Sequence, residues 1–244
     1  MAGVAGAVVG AALPTPAYRL SVEWKTPART ACASCDAALS TGAGSGWLRF
    51  GARCPACGAR NGPRTWLLAV VVALGCAGMV FRFGVAPSAW PYLAVIPLGC
   101  LLAAIDIACL RLPELLVLPG IGGSLVGFAT VALCTGAWGA LLRAGLGGLA
   151  LGGAYLVLAL LPGGQLGLGD VTLAVMLGVY LGWLGWPFVL FGAVLPFLVN
   201  APIVLGMLVA RRVGRRSSLP FGPAMLVGAY LAVVGPGLVT LFIR

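Results

Sequence analysis

Two aspartates stand inside the apolar stretches of this chain. Asp106 interrupts the run GCLLAAIDIACL, and Asp170 follows Gly167 and Gly169 in the run GQLGLGDVTLAV. A carboxylate at membrane depth costs on the order of 3 kcal/mol, so such residues mark functional sites by default. The chain contains no histidine, which excludes the Ser-His and Cys-His mechanisms of hydrolysis. We therefore predict that Asp106 and Asp170 form a catalytic pair.

A pair of carboxylates can hydrolyse a peptide bond. One carboxylate deprotonates the attacking water, and the other donates a proton to the carbonyl oxygen or to the leaving amine. Two adjacent carboxylates do not both ionise easily, so one stays protonated and the pair titrates as a unit. The two glycines before Asp170 predict a backbone that bends or unwinds just before the acid.

Three other interpretations stay open on the residues alone. Asp106 is near enough to Arg111 in sequence for the two to pair. Asp170 could instead cap a helix that begins there. Both aspartates could also line the ion pathway of a transporter, which is the main alternative to a peptidase.

Four cysteines form a second chemical pattern. Cys32 with Cys35, and Cys54 with Cys57, make two C-x2-C pairs at the spacing of a four-thiolate zinc site. Gly58 suits the tight turn after the second pair. Two disulfides are the alternative, but a cytoplasmic location keeps thiols reduced. We predict a closed, structural zinc site that folds a segment too small to hold a core alone.

The composition places both patterns in a polytopic membrane protein. Of the 244 residues, 61% are hydrophobic and 8% are charged, whereas a soluble domain carries about 25% charged residues. The net charge of +10 does not indicate nucleic-acid binding, because the basic residues lie mostly at the ends of apolar runs and act there as topology signals.

The apolar runs of the chain are expected to form an all-α membrane helical bundle of about seven full spans. A shorter apolar segment, 1–17, is interrupted by prolines and is expected to be a degenerate or interfacial first segment. Residues 18–65 are the predicted zinc domain, and residues 66–244 are the predicted transmembrane domain. The break between the fifth and sixth spans rests on Gly185, Trp186 and Pro187. The spans are predicted at about 66–82, 90–110, 114–137, 144–161, 169–184, 187–209 and 220–242.

The positive charges orient the chain. If residues 18–65 are cytoplasmic, twelve of the fifteen basic residues lie inside, and Arg82, Arg143 and Arg244 lie outside. Asp106 is then about 7–8 Å from the cytoplasmic end of its helix, taken at Arg111. Asp170 lies at the cytoplasmic start of its span. Both acids are therefore predicted at similar depth on one side of the membrane.

Together these motifs resemble the type IV prepilin peptidases, the bifunctional leader peptidase and N-methyltransferase family of aspartyl proteases. The resemblance covers nearly the whole chain. Gly-Leu-Gly-Asp at 167–170 matches the family's GxGD signature, and the paired C-x2-C motifs match the cytoplasmic zinc domain of many members. Asp106, followed by Leu112 and Pro113, resembles the first catalytic aspartate of the family. A further motif, which resembles the PFGP segment that opens the last helix, is formed by Pro220, Phe221, Gly222 and Pro223.

The resemblance implies an aspartic endopeptidase of the bacterial inner membrane, with Asp106 and Asp170 as its catalytic residues. It would remove the basic leader from type IV prepilins or pseudopilins at the cytoplasmic face. Thr172 stands where the family usually has lysine, and the amino-terminal methyltransferase motifs are not matched. Binding of S-adenosylmethionine and N-methylation of the new terminus are therefore left open. The arginines at 211, 212, 215 and 216 would repel a basic leader and are expected to contact anionic membrane lipid.

Overall fold

A computed structural model shows that the chain is all-helical. It describes residues 1–22, 26–39, 50–51, 53–161, 166–209 and 220–235. The arginines at 211, 212, 215 and 216 and the part of the last predicted span beyond 235 lie outside the described residues. Within the described ranges the all-α prediction is confirmed by nine helices. These are α1 (Ala2–Ala12), α2 (Pro14–Leu20), α3 (Thr65–Phe83), α4 (Ala89–Cys109), α5 (Glu114–Thr135), α6 (Trp138–Leu160), α7 (Leu168–Leu184), α8 (Trp186–Val209) and α9 (Gly222–Val234).

Five of these helices are long and apolar enough to cross a bilayer, namely α3, α4, α5, α6 and α8. The chain is therefore an integral membrane protein. Helix α7 has 17 residues and the described part of α9 has 13, so both are shorter than the usual span of about 20. The expected total of about seven spans stays a prediction for these two helices.

Two predicted boundaries need correction. Helix α6 begins at Trp138, six residues before the predicted start, so Arg143 lies within the helix and not in the loop before it. Helix α4 ends at Cys109, which puts Asp106 about 4.5 Å from the helix end and not 7–8 Å. The predicted break before α8 is confirmed: Gly185 alone separates α7 from α8, with a φ of +147°.

The chain forms two compact units. One comprises residues 1–85 and 93–109, and the other comprises residues 86–92 and 110–244. The predicted division into segments 1–17, 18–65 and 66–244 is a different grouping and stays a prediction.

In the first unit, α1 packs closely against α3 through glycines. A Cβ atom added to Gly10 would lie 2.6 Å from the carbonyl oxygen of Leu68, and one added to Gly6 would lie 3.1 Å from the Cys76 sulfur. Helix α1 ends just before Pro14, where the sequence predicts the apolar run to break. Helix α2 then leads into the cysteine segment.

In the second unit, α6 and α7 meet along a glycine seam, formed by Gly147, Gly148, Gly178 and Gly182. A Cβ added to Gly147 would lie 2.7 Å from the Gly178 carbonyl oxygen and 2.8 Å from the Gly182 Cα, so the two backbones are in direct contact. At one end of the seam, the Arg143 guanidinium donates hydrogen bonds of 2.9 Å to the carbonyls of Gly182 and Trp183. It thereby satisfies carbonyls at the end of α7 that have no partner within the helix.

Candidate active site and metal site

Asp170 lies in the first turn of α7 and is partly exposed. Its Oδ2 accepts a hydrogen bond of 3.2 Å from the backbone N–H of Gly167, the residue before the helix. Asp170 therefore does cap the start of α7, which was one of the alternatives left open by the sequence. A helix N-terminus also favours a negative charge, so this contact positions the carboxylate without excluding a chemical role.

The predicted reason for the two glycines beside Asp170 is wrong. Gly167 has a φ of −75°, which any residue adopts, and Gly169 lies within the helix. A Cβ at Gly169 would instead lie 3.0 Å from the Cβ of Leu112, so glycine at this position permits a close approach to the segment before α5. Contact with a residue distant in sequence explains this glycine, and backbone bending does not.

Asp106 lies in the last turn of α4 and is 4% exposed. The two aspartates belong to different compact units, with Asp106 in the first and Asp170 in the second. Their action as a catalytic pair stays a prediction.

The segment Pro220–Pro223 begins α9 and contributes an aromatic ring to the second unit. Pro223 is in the first turn of α9, where a missing N–H costs no helical hydrogen bond. The Phe221 ring lies 5.1 Å from the ring of Phe197 and 6.3 Å from that of Tyr155, between centroids. The buried Tyr155 hydroxyl donates to the carbonyl of Ala193, at 3.4 Å. The PFGP motif therefore joins α6, α8 and α9 by aromatic contacts.

Tyr155 is almost fully buried in the second unit, which also holds Asp170. No motif singles out Tyr155. The signal that could find it is its spacing of four and eight residues from Leu151 and Gly147, which places it on the buried face of α6.

The four predicted zinc ligands are brought together. The Sγ atoms of Cys32 and Cys57 are 3.8 Å apart, and those of Cys35 and Cys54 are 3.7 Å apart. All four sulfur atoms lie within 4.8 Å of one another, and no disulfide joins them. A tetrahedral ion with metal–sulfur bonds of about 2.3 Å requires sulfur atoms about 3.8 Å apart. The cysteine cluster therefore fits one metal ion.

The two cysteine turns have the same backbone structure. In each turn the residue after the second cysteine has a left-handed φ, +54° at Asp36 and +71° at Gly58, as predicted for Gly58. Its N–H donates to the carbonyl of the first cysteine. The Ser34 N–H lowers the pKa of the Cys32 thiol to about 6, although burial raises it. Backbone N–H groups stabilise a thiolate in this way, and a thiolate is the form that binds a metal.

Helix α2 packs against this cysteine cluster. Tyr18 belongs to the same buried group as Cys32 and Cys54, and its hydroxyl donates to the carbonyl of Ala31 at 3.1 Å. The neighbouring Arg19 is buried and donates to the carbonyl of Leu39. The cysteine segment is therefore held to the helix that precedes it.

Comparison with known proteins assigns the chain to a family. Residues 93–202, which include both aspartates, match the model of the type IV leader peptidase family. The chain is 30% identical over 226 residues to the prepilin leader peptidase/N-methyltransferase of Aeromonas hydrophila, an alignment that covers 90% of this chain and 74% of that protein. The chain belongs to the type IV leader peptidase family. It is thus a peptidase, as the motifs predict.

Two further relatives of the same name cover less of their own length. The protein of Aeromonas salmonicida strain A449 is 31% identical over 77% of this chain and 64% of its own length. The protein of Pseudomonas putida is 32% identical over 78% of this chain and 62% of its own length. This leader peptidase homologue therefore spans less than two thirds of those proteins. No solved structure is significantly similar to it.

Proposed function

We propose that the chain removes the basic leader from type IV prepilins or pseudopilins at the cytoplasmic face of the inner membrane, with Asp106 and Asp170 as its catalytic pair. Membership in the type IV leader peptidase family carries this proposal, because the matched residues include both aspartates and the named relatives are prepilin leader peptidases.

The surroundings of each aspartate support a chemical role. Asp106 is an almost fully buried carboxylate in an apolar helix, which is costly for a group without a function. Asp170 is partly exposed at the start of α7, so its carboxylate is accessible to water. In the proposed reaction one carboxylate takes a proton from water, whose oxygen attacks the scissile carbonyl carbon. The other donates its proton as the C–N bond breaks and the amine leaves.

The proposed orientation matches the proposed substrate. A prepilin presents a short basic leader in the cytoplasm and continues as an apolar helix in the bilayer. Under the predicted spans, positive charges are concentrated on the side that holds residues 18–65, which supports a cytoplasmic location for the start of α7. A scissile bond at the cytoplasmic boundary would lie at the same depth in the membrane as the Asp170 carboxylate.

Zinc is the proposed metal of the cysteine cluster. Four thiolates in a tetrahedral arrangement are the usual ligands of structural Zn²⁺, and all four positions are taken by protein. Cys32, Cys35, Cys54 and Cys57 would hold the ion and fold the segment around it. No ligand position is left for substrate or water, so the ion has no part in peptide hydrolysis.

The test is cleavage of a co-expressed prepilin by the full-length chain in membranes. Asp106→Asn and Asp170→Asn, which keep the side-chain shape, should each slow cleavage by at least about 100-fold. Glu114→Gln is the matched control, since Glu114 is an exposed acid at the first position of α5 and should be dispensable. Immunoblots of the membrane fraction control for folding and insertion.

Wild-type cleavage by either asparagine variant would exclude that residue from the catalytic pair. If wild type itself leaves the prepilin uncut, the proposed substrate is wrong. The mass of the new pilin N-terminus in the same assay reports whether a methyl group is added, which tests the second activity in the relatives' names.

A further inference from the structure

Asn61 carries a buried donor next to the cysteine cluster. The residue lies four positions after Cys57 and is 6% exposed. Its Oδ1 accepts the Cys32 thiol hydrogen at 3.5 Å. Its Nδ2 is buried and has no hydrogen-bond partner among the described residues. A buried N–H group without a partner costs about 1–3 kcal/mol, so this arrangement calls for a physical explanation.

The chemistry of a metal-bound thiolate supplies that explanation. Once Cys32 binds a cation it has lost its hydrogen, and its sulfur can only accept hydrogen bonds. The Oδ1 of Asn61 would then face a negative sulfur with no proton between them. The oxygen and nitrogen of an asparagine amide exchange places by a half-turn about the Cβ–Cγ bond, and their assignment follows the hydrogen-bond network. After this half-turn Nδ2 lies where Oδ1 was, about 3.5 Å from the Cys32 sulfur.

We infer that Asn61 is a positioning residue of the metal site, whose side-chain N–H donates to the Cys32 thiolate when the metal is bound. The inference rests on the proposed metal centre. Cys32 is 1% exposed and already accepts the backbone N–H of Ser34 at 3.5 Å. With Asn61, this buried sulfur receives two N–H donors. One rotation satisfies both the buried Nδ2 and the charged sulfur, and it requires no movement of the backbone.

The experiment is a metal titration of the purified full-length protein in detergent. Co²⁺ replaces Zn²⁺, its thiolate charge-transfer absorption reports binding to sulfur, and competition with a chelator gives the affinity. Asn61→Asp has nearly the same shape but no donor, and Asn61→Leu has a similar volume but no polar group. Both variants should bind Co²⁺ and Zn²⁺ about 10–100-fold more weakly than wild type, as for other residues that orient metal ligands.

Tyr18→Phe is the matched control. Tyr18 packs in the same buried group, but its hydroxyl donates to the Ala31 carbonyl and not to a sulfur. This variant should bind the metal within about threefold of wild type. A shift in the charge-transfer absorption of Asn61→Leu, absent from Tyr18→Phe, would report loss of the N–H donor itself.

Two results would overturn the inference. One is wild-type affinity in both Asn61 variants, and the other is an equal loss in Tyr18→Phe, which would indicate general loosening of the domain. If the wild-type protein binds neither metal, the metal centre itself is wrong. Prepilin cleavage is measured separately, so failure of this inference is distinct from failure of the proposed peptidase activity.

Discussion

The glycine seam between α6 and α7 has no room for an added methyl group. In Gly147→Ala the new Cβ would lie 2.7 Å from the Gly178 carbonyl oxygen and 2.8 Å from the Gly182 Cα, whereas ordinary contacts begin at 3.4 Å. The obstacle is backbone, which cannot rotate away as a side chain does. The two helices must therefore separate by about 0.6–0.7 Å along the seam.

The cost of that separation follows from packing. Overpacking of a tight contact costs about 1–3 kcal/mol, and alanine in a helix recovers about 0.5–1 kcal/mol relative to glycine. We expect a net loss of about 1–2 kcal/mol, seen as a lower midpoint of thermal unfolding in detergent. Because Asp170 is carried by α7, the shift also displaces its carboxylate. Since a misplacement of about 1 Å can cost about 100-fold in rate, we expect cleavage of a co-expressed prepilin to fall about tenfold or more.

Gly145→Ala is the matched control on the same helix. A Cβ at Gly145 would meet nothing within 4 Å, so this variant should cleave as wild type does and unfold at the same or a slightly higher temperature. Wild-type stability and wild-type cleavage in Gly147→Ala would refute direct backbone contact between α6 and α7. A loss of equal size in both variants would point to helix α6 itself and not to the seam.

Three further outcomes are expected. Arg143→Gln loses two hydrogen bonds to the end of α7 and should lower the free energy of unfolding by about 1–3 kcal/mol. Arg82→Gln is the control, because Arg82 is predicted to lie on the same side of the membrane. Gly62→Ala should loosen the cysteine segment and speed limited proteolysis, because Gly62 has a φ of +103° and its Cβ would lie 2.7 Å from the Pro14 carbonyl oxygen. Gly51→Ala shares a positive φ, +79°, but has open space around the added atom, so a smaller effect there would separate the collision from backbone strain. Removal of the metal by a strong chelator should raise thiol labelling of the cysteine cluster, and unchanged labelling would contradict a bound ion.

The elements that sequence predicts well are those set by local chemistry. Long apolar runs predict membrane helices because a bilayer requires them. Gly185, Trp186 and Pro187 together predict the break that the structure has at Gly185. The cysteine cluster is predictable because each C-x2-C pair fixes two ligands within one turn. The spacing of Cys32, Cys35, Cys54 and Cys57 therefore carries most of the geometry of the site.

The features that sequence does not predict depend on contacts between distant segments. The sequence predicts that Arg143 lies at the end of a loop. In the structure it lies within α6 and donates to the carbonyls of Gly182 and Trp183, about forty residues later in the chain. From the sequence, Gly169 is interpreted as a point of backbone flexibility. In the structure, glycine is needed there because the Leu112 side chain leaves little room for a Cβ. Tyr155 and Asn61 carry no motif at all. In each case the deciding partner is supplied by the fold, and periodicity along one helix cannot reveal it.

The contact between Arg143 and the end of α7 has a consequence for biosynthesis. The ribosome delivers α6 to the membrane before α7, with a guanidinium in its second turn whose hydrogen-bond partners are not yet made. An arginine near a helix end can stay at the lipid–water interface until those partners arrive. The partners of Arg143 therefore exist only once α7 has been made, and the α6–α7 hairpin is the smallest unit that satisfies this guanidinium.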